Sequence, residues 1–396
     1  MTGMKRVLFY LPVVTPWWFD NIVSRMIRSL VAEAEVHVLV PPLWRNTGIG
    51  PEQLKNCASL TEVRWHIADG DGHPSWRTSP DDPDEIVEFV QAIDPDYVLC
   101  RSADIATPSR FPGKMRYLME PGAPPLFTYA RGITLQADFS HHGAMPHLSD
   151  DDREAIETAF ADTWRQMRAR VDNRWEARRP RTEVLQNMGL PDDRKILAVP
   201  LEYEHEEAFN SIHHRFERNL DLIQYLADRL DDDFVLAVTD HPLNYQHVDN
   251  SKLYEAIAAL GPRVHLVPNP DAEYFPTELL IRHCDGLIVQ NTKAIYSGAY
   301  FGKPTLRLSK RPSAEWLRTI DDLEALQTAV ALGYQGPTED ELRLWFGFHM
   351  LHEIVSPIAI TGRDILDRLD RPFSSDRLAT GLERADAYQR QLDMAA

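Results

Sequence analysis

Short apolar runs alternate with amphipathic segments in the first third of the chain. Residues 5–13 (KRVLFYLPV) are apolar and rich in β-formers, and residues 19–33 carry apolar side chains at helical spacing on one face. Three more strand-like runs follow, at 35–40, 62–67 and 96–100, with polar or helical segments between them. This alternation predicts a parallel sheet with crossover helices.

A second series of the same kind begins at Lys195, after a charged helical stretch at 149–187 that has no strand pattern. The order of strands and helices predicts a second doubly wound unit. Its predicted strands are 196–201, 234–239, 264–267, 286–290 and 304–308, and its predicted helices are 216–230, 252–260, 277–283 and 292–301.

The expected fold is therefore α/β, with two Rossmann-like doubly wound parallel-sheet domains facing a cleft. We expect the domains to span 1–185 and 186–340, with helices in 341–396 packing back across both. Ligands of such sheets bind beyond the carboxyl ends of the strands. The residues that follow the strands are therefore the candidates for chemistry.

The composition disfavours nucleic acid as the main partner and leaves a small phosphorylated ligand open. The 396 residues are 43% hydrophobic and carry a net charge of −18, whereas binding to a phosphate backbone needs clustered cations. No apolar run is long enough to span a membrane, the amino terminus lacks a signal-peptide pattern, and the three cysteines are widely spaced. These features favour a cytoplasmic protein with at most peripheral membrane contact.

Several common motifs are absent from the sequence. It contains neither the dinucleotide-binding pattern GxGxxG after its first strand nor the phosphate-binding pattern GxxxxGK[ST]. It also lacks HExxH and GxSxG. These absences disfavour a dehydrogenase, an ATPase, a zinc peptidase and an α/β-hydrolase.

Polar residues follow three strands of the second half, at 200–202 (PLE), 240–242 (DHP) and 290–292 (QNT). A histidine can donate to a phosphate oxygen, and an asparagine or threonine can cap a helix whose free amides bind an anion. We therefore expect a phosphorylated ligand here. The candidate residues are Glu202, His241, Pro242, Gln290, Asn291, Thr292, Ser297 and Lys303.

The stretches VTDHPLNYQH (238–247) and CDGLIVQNTKAIYSGAYFGKPTLRLSK (284–310) resemble bacterial capsular-polysaccharide biosynthesis glycosyltransferases. That family includes the Kdo transferases and more distant CMP-sugar and CDP-glycerol enzymes of GT-B fold. ILAVPLEYEHEE (196–207) also resembles the family's strand that ends in Pro-Leu-Gln. The resemblance covers roughly residues 195–310.

The resemblance implies that His241 and the Thr292 region bind a nucleotide-sugar donor, with a CMP-sugar favoured and no metal or other cofactor required. Three positions depart from the family pattern. Glu202 replaces a glutamine, Ser297 replaces a glutamate, and Thr292-Lys293 replaces a Ser-Thr pair. The glutamate's usual contact with the ribose is therefore lost or replaced in this chain.

Sugar transfer also needs a group that deprotonates the acceptor hydroxyl. Candidates in the first half are Glu120, which precedes a Pro-Gly turn, and Asp138 and His141 in a polar loop. His141-His142 lacks a second ligand pair at metal-binding spacing, so no metal is expected. The candidate acceptor residues are Trp17, Trp18 and Asp20, because aromatic rings stack on sugar faces.

The sequence predicts a GT-B-type glycosyltransferase that moves a sugar from a nucleotide sugar to a glycan or lipid-linked acceptor. Two alternatives stay open. One is a nucleotide-sugar 2-epimerase on the same fold, and the other is a non-catalytic nucleotide-sugar-binding scaffold subunit. A homodimer also stays open.

Overall fold

The chain forms two compact units, each built on its own sheet. The computed structural model describes residues 3–68, 73–125, 132–137, 143–173, 179–205, 208–268, 276–334 and 336–384. Unit 1 comprises Met1–Pro121, Tyr129–Phe139 and His352–Arg377, and unit 2 comprises Gly122–Thr128, Ser140–Leu351 and Leu378–Ala396. The division differs from the expected boundary at 185, since most residues from Ser140 onward group with the second sheet.

Unit 1 contains a six-stranded sheet and short helices. Its strands are β1 (Lys5–Tyr10), β2 (Ala34–Val40), β3 (Arg64–Ile67), β4 (Tyr97–Cys100), β5 (Lys114–Met119) and β6 (Thr134–Gln136). Its first helices are α1 (Pro16–Trp18), α2 (Ser24–Leu30), α3 (Pro51–Asn56), α4 (His73–Thr78) and α5 (Pro83–Ile93), and a π-helical turn joins α1 to α2. The strand order is β3-β2-β1-β4-β5-β6, parallel except for β6.

Unit 2 contains a fully parallel sheet of five strands. They are β7 (Lys195–Pro200), β8 (Phe234–Thr239), β9 (Val264–Leu266), β10 (Gly286–Val289) and β11 (Thr305–Arg307), in the order β11-β10-β7-β8-β9. Its helices are α6 (Asp150–Asn173), α7 (Arg181–Asn187), α8 (Asn219–Ala227), α9 (Asn244–His247), α10 (Ser251–Ala259), α11 (Pro276–His283), α12 (Ala294–Tyr300), α13 (Leu323–Ala331) and α14 (Glu339–Gly347). The long helix α6 packs on α14, where Trp164 stacks on Phe346 with ring centroids 5.7 Å apart.

A segment from far along the chain completes unit 1. Helix α15 (Gly362–Asp370) packs on α2 and buries Ile365 and Leu369 in the core that also contains Phe9 of β1. Just before it, Val355 donates from its backbone N–H to the carbonyl oxygen of Ile133, at 2.9 Å. The core of unit 1 is therefore built from both ends of the sequence.

The predicted fold class, an α/β protein with two Rossmann-like doubly wound units, is confirmed. The strand predictions work because both faces of a parallel sheet are covered, which makes its strands continuous apolar runs. All six residues of β8, for example, are buried. Within the described residues, no helix combines the length and the apolar character needed to cross a membrane.

Candidate functional site

The strand order of unit 2 defines one position at the carboxyl edge of its sheet where connections lead to opposite sides. Strand β7 is followed by β8 on one side, while β10 pairs with it on the other. Ligands of doubly wound sheets bind at this switch point, beyond the strand ends. Glu202 follows β7 there, and residues 290–292 follow β10.

The Glu202 carboxylate bridges the switch point. Its Oε1 accepts hydrogen bonds from the backbone N–H groups of Asn291, at 2.6 Å, and Thr292, at 2.9 Å. The side chain is only 13% exposed. Burial raises the pKa of Glu202 to about 7, although the amides of residues 290–292 and the Arg307 charge favour the ionised form. Protonated and ionised Glu202 therefore coexist near neutral pH.

Two asparagines hold the main chain of Glu202 in place. Asn219, at the start of α8, accepts from the Glu202 N–H at 3.1 Å and donates to its carbonyl oxygen at 2.9 Å. Asn244, at the start of α9, donates to the same carbonyl oxygen at 3.0 Å. Both asparagines are buried, so the position of Glu202 is fixed by side chains from two helices.

Arg307, at the end of β11, brings a buried positive charge to the same edge. Its five N–H groups all donate within the protein, to the carbonyl oxygens of Gln290 (3.4 Å) and Arg311 (2.9 Å), to the hydroxyls of Ser313 (2.8 Å) and Ser309 (3.4 Å), and to Asn291 Oδ1 (3.4 Å). Among the described residues, no carboxylate lies within ion-pair distance of Arg307, and Glu202 is the acidic side chain that its charge influences. Burial lowers the pKa of Arg307 to about 10, so it stays cationic near neutral pH.

The His241 turn after β8 is organised by the buried carboxylate of Asp240. That carboxylate accepts from the His241 N–H (2.8 Å), from Asn244 (2.7 Å), from Asn250 (2.8 Å) and from the Tyr254 hydroxyl. Since Asn244 also bonds to Glu202, one side chain connects the ends of β7 and β8. Asp240 therefore orients the turn rather than facing a ligand.

The imidazole of His241 has a defined tautomer. Its Nδ1 accepts from the backbone N–H of Leu243 at 3.2 Å, so in the neutral ring Nε2 carries the hydrogen. Burial lowers the pKa of His241, which favours this neutral form near neutral pH. One face of the ring stacks on Tyr203, with centroids 5.5 Å apart. His241 is thus prepared to donate one hydrogen bond from Nε2.

Other predicted donor-site residues have structural partners. Gln290 is 2% exposed, and its amide pairs with the main chain of Phe216 at 2.9 and 3.1 Å. Pro242 is exposed in the His241 turn, and Ser297 is buried in α12. The Lys303 ammonium donates to the Cys284 carbonyl oxygen (2.7 Å), at the amino edge of the sheet. The fold therefore does not bring Lys303 to the other candidates.

The start of α12 also differs from the expected anion-binding arrangement. Thr292 lies one residue before the cap position, and its hydroxyl accepts from the Ala294 N–H at 3.3 Å. The cap position of α12 is instead Lys293, which makes no side-chain cap hydrogen bond, and the helix has only seven residues. The N–H groups of Asn291 and Thr292 point to Glu202. These two amides are therefore already occupied by Glu202 and are not available to an anion.

In unit 1, Arg101 connects two of the predicted residues. Its guanidinium carbon lies 3.6 Å from the ring centroid of Trp18, and it donates to Glu120 Oε1 at 2.7 Å. Trp17 is 49% exposed, while Asp20 accepts hydrogen bonds from two residues of α3, at 3.0 and 3.4 Å. Trp18 is buried and covered by Arg101, so Trp17 is the tryptophan that offers a free surface.

Asp138, His141 and His142 lie outside the described residues. Within the described part of the chain, no group of three His, Cys, Asp or Glu side chains is arranged to hold a metal ion.

Four residues that organise these strand ends are not among the candidates predicted from the sequence. Arg307 had one recognisable signal, since it is a charged residue between the buried Leu306 and Leu308. Arg101 had a similar signal, because it follows directly on the apolar strand β4. Asn219 and Asn244 had none, because helix-start asparagines usually cap their own helix.

The fold and this edge define an α/β protein with two doubly wound units, one of which buries a carboxylate and a guanidinium at its switch point. No protein-family model matches the chain, and no curated protein matches it either.

Three solved structures illustrate what the fold is similar to. The KpsC β-Kdo 2,7-transferase of Thermosulfurimonas dismutans is 11% identical, covers 84% of this chain and 99% of its own, and has a TM-score of 0.43. The ADP-heptose LPS heptosyltransferase II of E. coli is 12% identical over 97% and 100%, with a TM-score of 0.26. The putative UDP-N-acetylglucosamine 2-epimerase of Listeria monocytogenes is 15% identical over 100% and 98%, with a TM-score of 0.26. Likenesses at this level assign no activity to the chain.

Proposed function

We propose that the chain is a glycosyltransferase whose unit 2 binds the phosphate of a nucleotide-sugar donor at the carboxyl edge of its sheet. The observation that carries this proposal is the buried, cationic Arg307 at a switch point that also contains Glu202. A buried cation without a close carboxylate favours an anionic ligand. The family resemblance of residues 238–247 and 284–310 supports a nucleotide sugar as that ligand, with CMP-sugars first.

The chemical role of the donor site is to stabilise negative charge on the departing phosphate. Neutral His241 would donate from Nε2 to a phosphate oxygen, and Arg307 would supply a fixed positive charge nearby. Such prearranged groups act strongly in a site that excludes water. This mechanism needs no metal ion, and Pro242, Asn291 and Thr292 would line the donor site.

The acceptor side of the proposal rests on unit 1. The exposed ring of Trp17 offers a surface for a sugar, and Arg101 holds the carboxylate of Glu120 at the end of β5. Glu120, Asp138 and His141 stay candidates for the base that deprotonates the acceptor hydroxyl. The acceptor would be a glycan or a lipid-linked sugar, and the reaction would take place in the cytoplasm.

One observation favours a second candidate, a nucleotide-sugar 2-epimerase. Epimerisation requires groups that accept and donate protons at the sugar ring, and the pKa of about 7 of Glu202 suits that task. Transfer needs an acceptor and epimerisation does not. A scaffold subunit would give neither product.

The first test is a thermal-shift screen of CMP, CDP, UDP and ADP with the full chain, without metal and then with magnesium. A ligand of the folded state raises the melting temperature by mass action. We expect one nucleotide to stabilise the wild type and the control His247→Ala by the same amount, and His241→Ala clearly less. His247 is a suitable control because it is exposed and only three residues beyond Asn244.

The matching nucleotide sugars are then incubated with and without candidate acceptors, and products are identified by mass spectrometry and NMR. An acceptor-dependent glycoside supports the transferase, and an acceptor-independent epimer supports the second candidate. If no nucleotide changes the melting temperature of the wild type, the proposed donor site is wrong.

A further inference from the structure

A ligand anion would upset the charge balance at the carboxyl edge of unit 2 unless the charge of another group changed. Arg307 contributes one positive charge, and ionised Glu202 contributes one negative charge. A phosphate that joins them would leave the buried group with excess negative charge. Like charges in a buried site strongly favour protonation of one carboxylate.

We propose that Glu202 selects the charge state of this site, so that a phosphate or similar oxyanion binds together with one proton. In the bound state Glu202 is a neutral acid that keeps Oε1 on the amides of Asn291 and Thr292 and donates from Oε2 to the anion. The buried positive charge of Arg307, whose N–H groups all donate to protein oxygens, then offsets the negative charge of the ligand. This inference deepens the proposed function and rests on it only for the nature of the natural ligand.

The two oxygens of Glu202 are in different surroundings, which supports these separate roles. Oε1 accepts two backbone hydrogen bonds, at 2.6 and 2.9 Å, which suits the carbonyl oxygen of a neutral acid. Oε2 faces His214, whose Nε2 is 3.9 Å away, beyond hydrogen-bond distance. Oε2 is therefore the oxygen that can carry the proton.

The two neighbouring histidines do not supply the missing positive charge, and the Lys310 ammonium, whose charge acts on His214, donates to the Ile212 carbonyl oxygen at 2.9 Å. Burial lowers the pKa of His214 to about 4, and burial also lowers the pKa of His241, so both are neutral at neutral pH. Glu204 accepts from the Asn219 N–H at 2.7 Å, and Asp240 is surrounded by four donors. Arg307 is thus the cation that faces Glu202 from β11, and Glu202 is the group that adjusts.

The test measures binding of inorganic sulfate to the full chain by isothermal titration calorimetry at pH 6, 7 and 8. Sulfate resembles a phosphate group and does not titrate in this range. With a pKa near 7 in the free protein, wild-type affinity should fall about tenfold between pH 6 and pH 8. Titrations in two buffers of different ionisation enthalpy should show uptake of close to one proton at pH 8.

The matched variants are Glu202→Gln and Glu204→Gln. The first keeps an acceptor for the two amides and a donor for the anion, so we expect sulfate binding that no longer depends on pH. The second removes a carboxylate two residues away and should keep the wild-type pH dependence. A flat wild-type profile, no proton uptake at pH 8, or an unchanged slope in Glu202→Gln would overturn the proposal. The buffer comparison gives this answer even if Glu202→Gln fails to fold.

The sulfate experiment contains neither nucleotide nor sugar, so its outcome is independent of the enzyme activity. A protein that binds sulfate with proton uptake but forms no glycoside would contradict the proposed function alone. A protein that transfers sugar but binds sulfate without a proton would contradict the role of Glu202 alone.

Discussion

Replacing Glu202 with glutamine should stabilise the folded chain at pH 8 and have little effect at pH 5. The pKa of Glu202 rises from the ordinary 4.5 to about 7 in the folded protein. An acid with a raised pKa binds protons better in the folded state, so wild-type stability is highest below the unfolded pKa. This contribution of Glu202 to stability is lost as the pH rises from about 4.5 to about 7, and it does not change at higher pH.

The size of the effect follows from this pKa difference. Each pKa unit is worth about 1.4 kcal/mol, so the ionised carboxylate costs the wild type about 3 kcal/mol at pH 8. At pH 5 the cost is under about 1 kcal/mol, since folded Glu202 is then almost fully protonated. The glutamine keeps the hydrogen bonds to Asn291 and Thr292 and carries no charge, so it avoids the cost at both pH values.

The assay is urea unfolding of the full chain at both pH values, followed by circular dichroism. Glu204→Gln is the control, and we expect its difference from the wild type to be the same at pH 5 and pH 8. The reasoning is refuted if Glu202→Gln differs from the wild type by equal amounts at the two pH values. It is also refuted if the variant is less stable than the wild type at pH 8.

Three further predictions concern the other groups at the strand ends. His241→Ala should weaken binding of the stabilising nucleotide by about tenfold or more, the loss of a hydrogen bond to a charged group, and calorimetry with His247→Ala as the unchanged control checks this. Arg101→Gln should lower kcat/KM for the acceptor about tenfold without changing nucleotide affinity. The control Arg110→Gln, which removes an exposed ion pair with Asp84, should change neither quantity. An equal loss of kcat/KM in both variants would contradict the role of Arg101. Asp240→Asn should lower the free energy of unfolding by about 2–4 kcal/mol, because three side-chain donors and one N–H lose a charged acceptor, and urea unfolding that shows no loss would contradict this.

The sequence predicts the parallel strands well because strands buried on both faces are continuous apolar runs. The prediction of 234–239 matches β8 residue for residue, whereas 5–13 extends beyond β1, which ends at Tyr10 before Pro12. Strand β6 gave no clear signal, since it has three residues and pairs antiparallel at the sheet edge. The expected boundary at 185 differs from the division into units, because α6 packs on α14 and this contact joins residues far apart in sequence.

Part of the candidate site was also accessible from sequence. The rule that ligands bind beyond strand ends leads directly to Glu202, His241 and Thr292. It does not tell which side chain accepts hydrogen bonds from the amides after β10, because these bonds join residues 89 and 90 positions apart. The same rule directs attention away from Arg307, which is the last residue of its strand rather than part of the following turn.

Because helix α15 completes the core of unit 1, the order of the chain affects which sheet forms first during synthesis. Ile365 and Leu369 belong to the core of the first sheet, so that core stays incomplete until Leu369 has been synthesised. The second sheet, by contrast, has all its strands once Arg307 has emerged. We therefore expect the sheet of unit 2 to form before the core of unit 1 is complete, and an amino-terminal fragment cut before Gly362 to expose the apolar surface of α2 and to need chaperones for solubility.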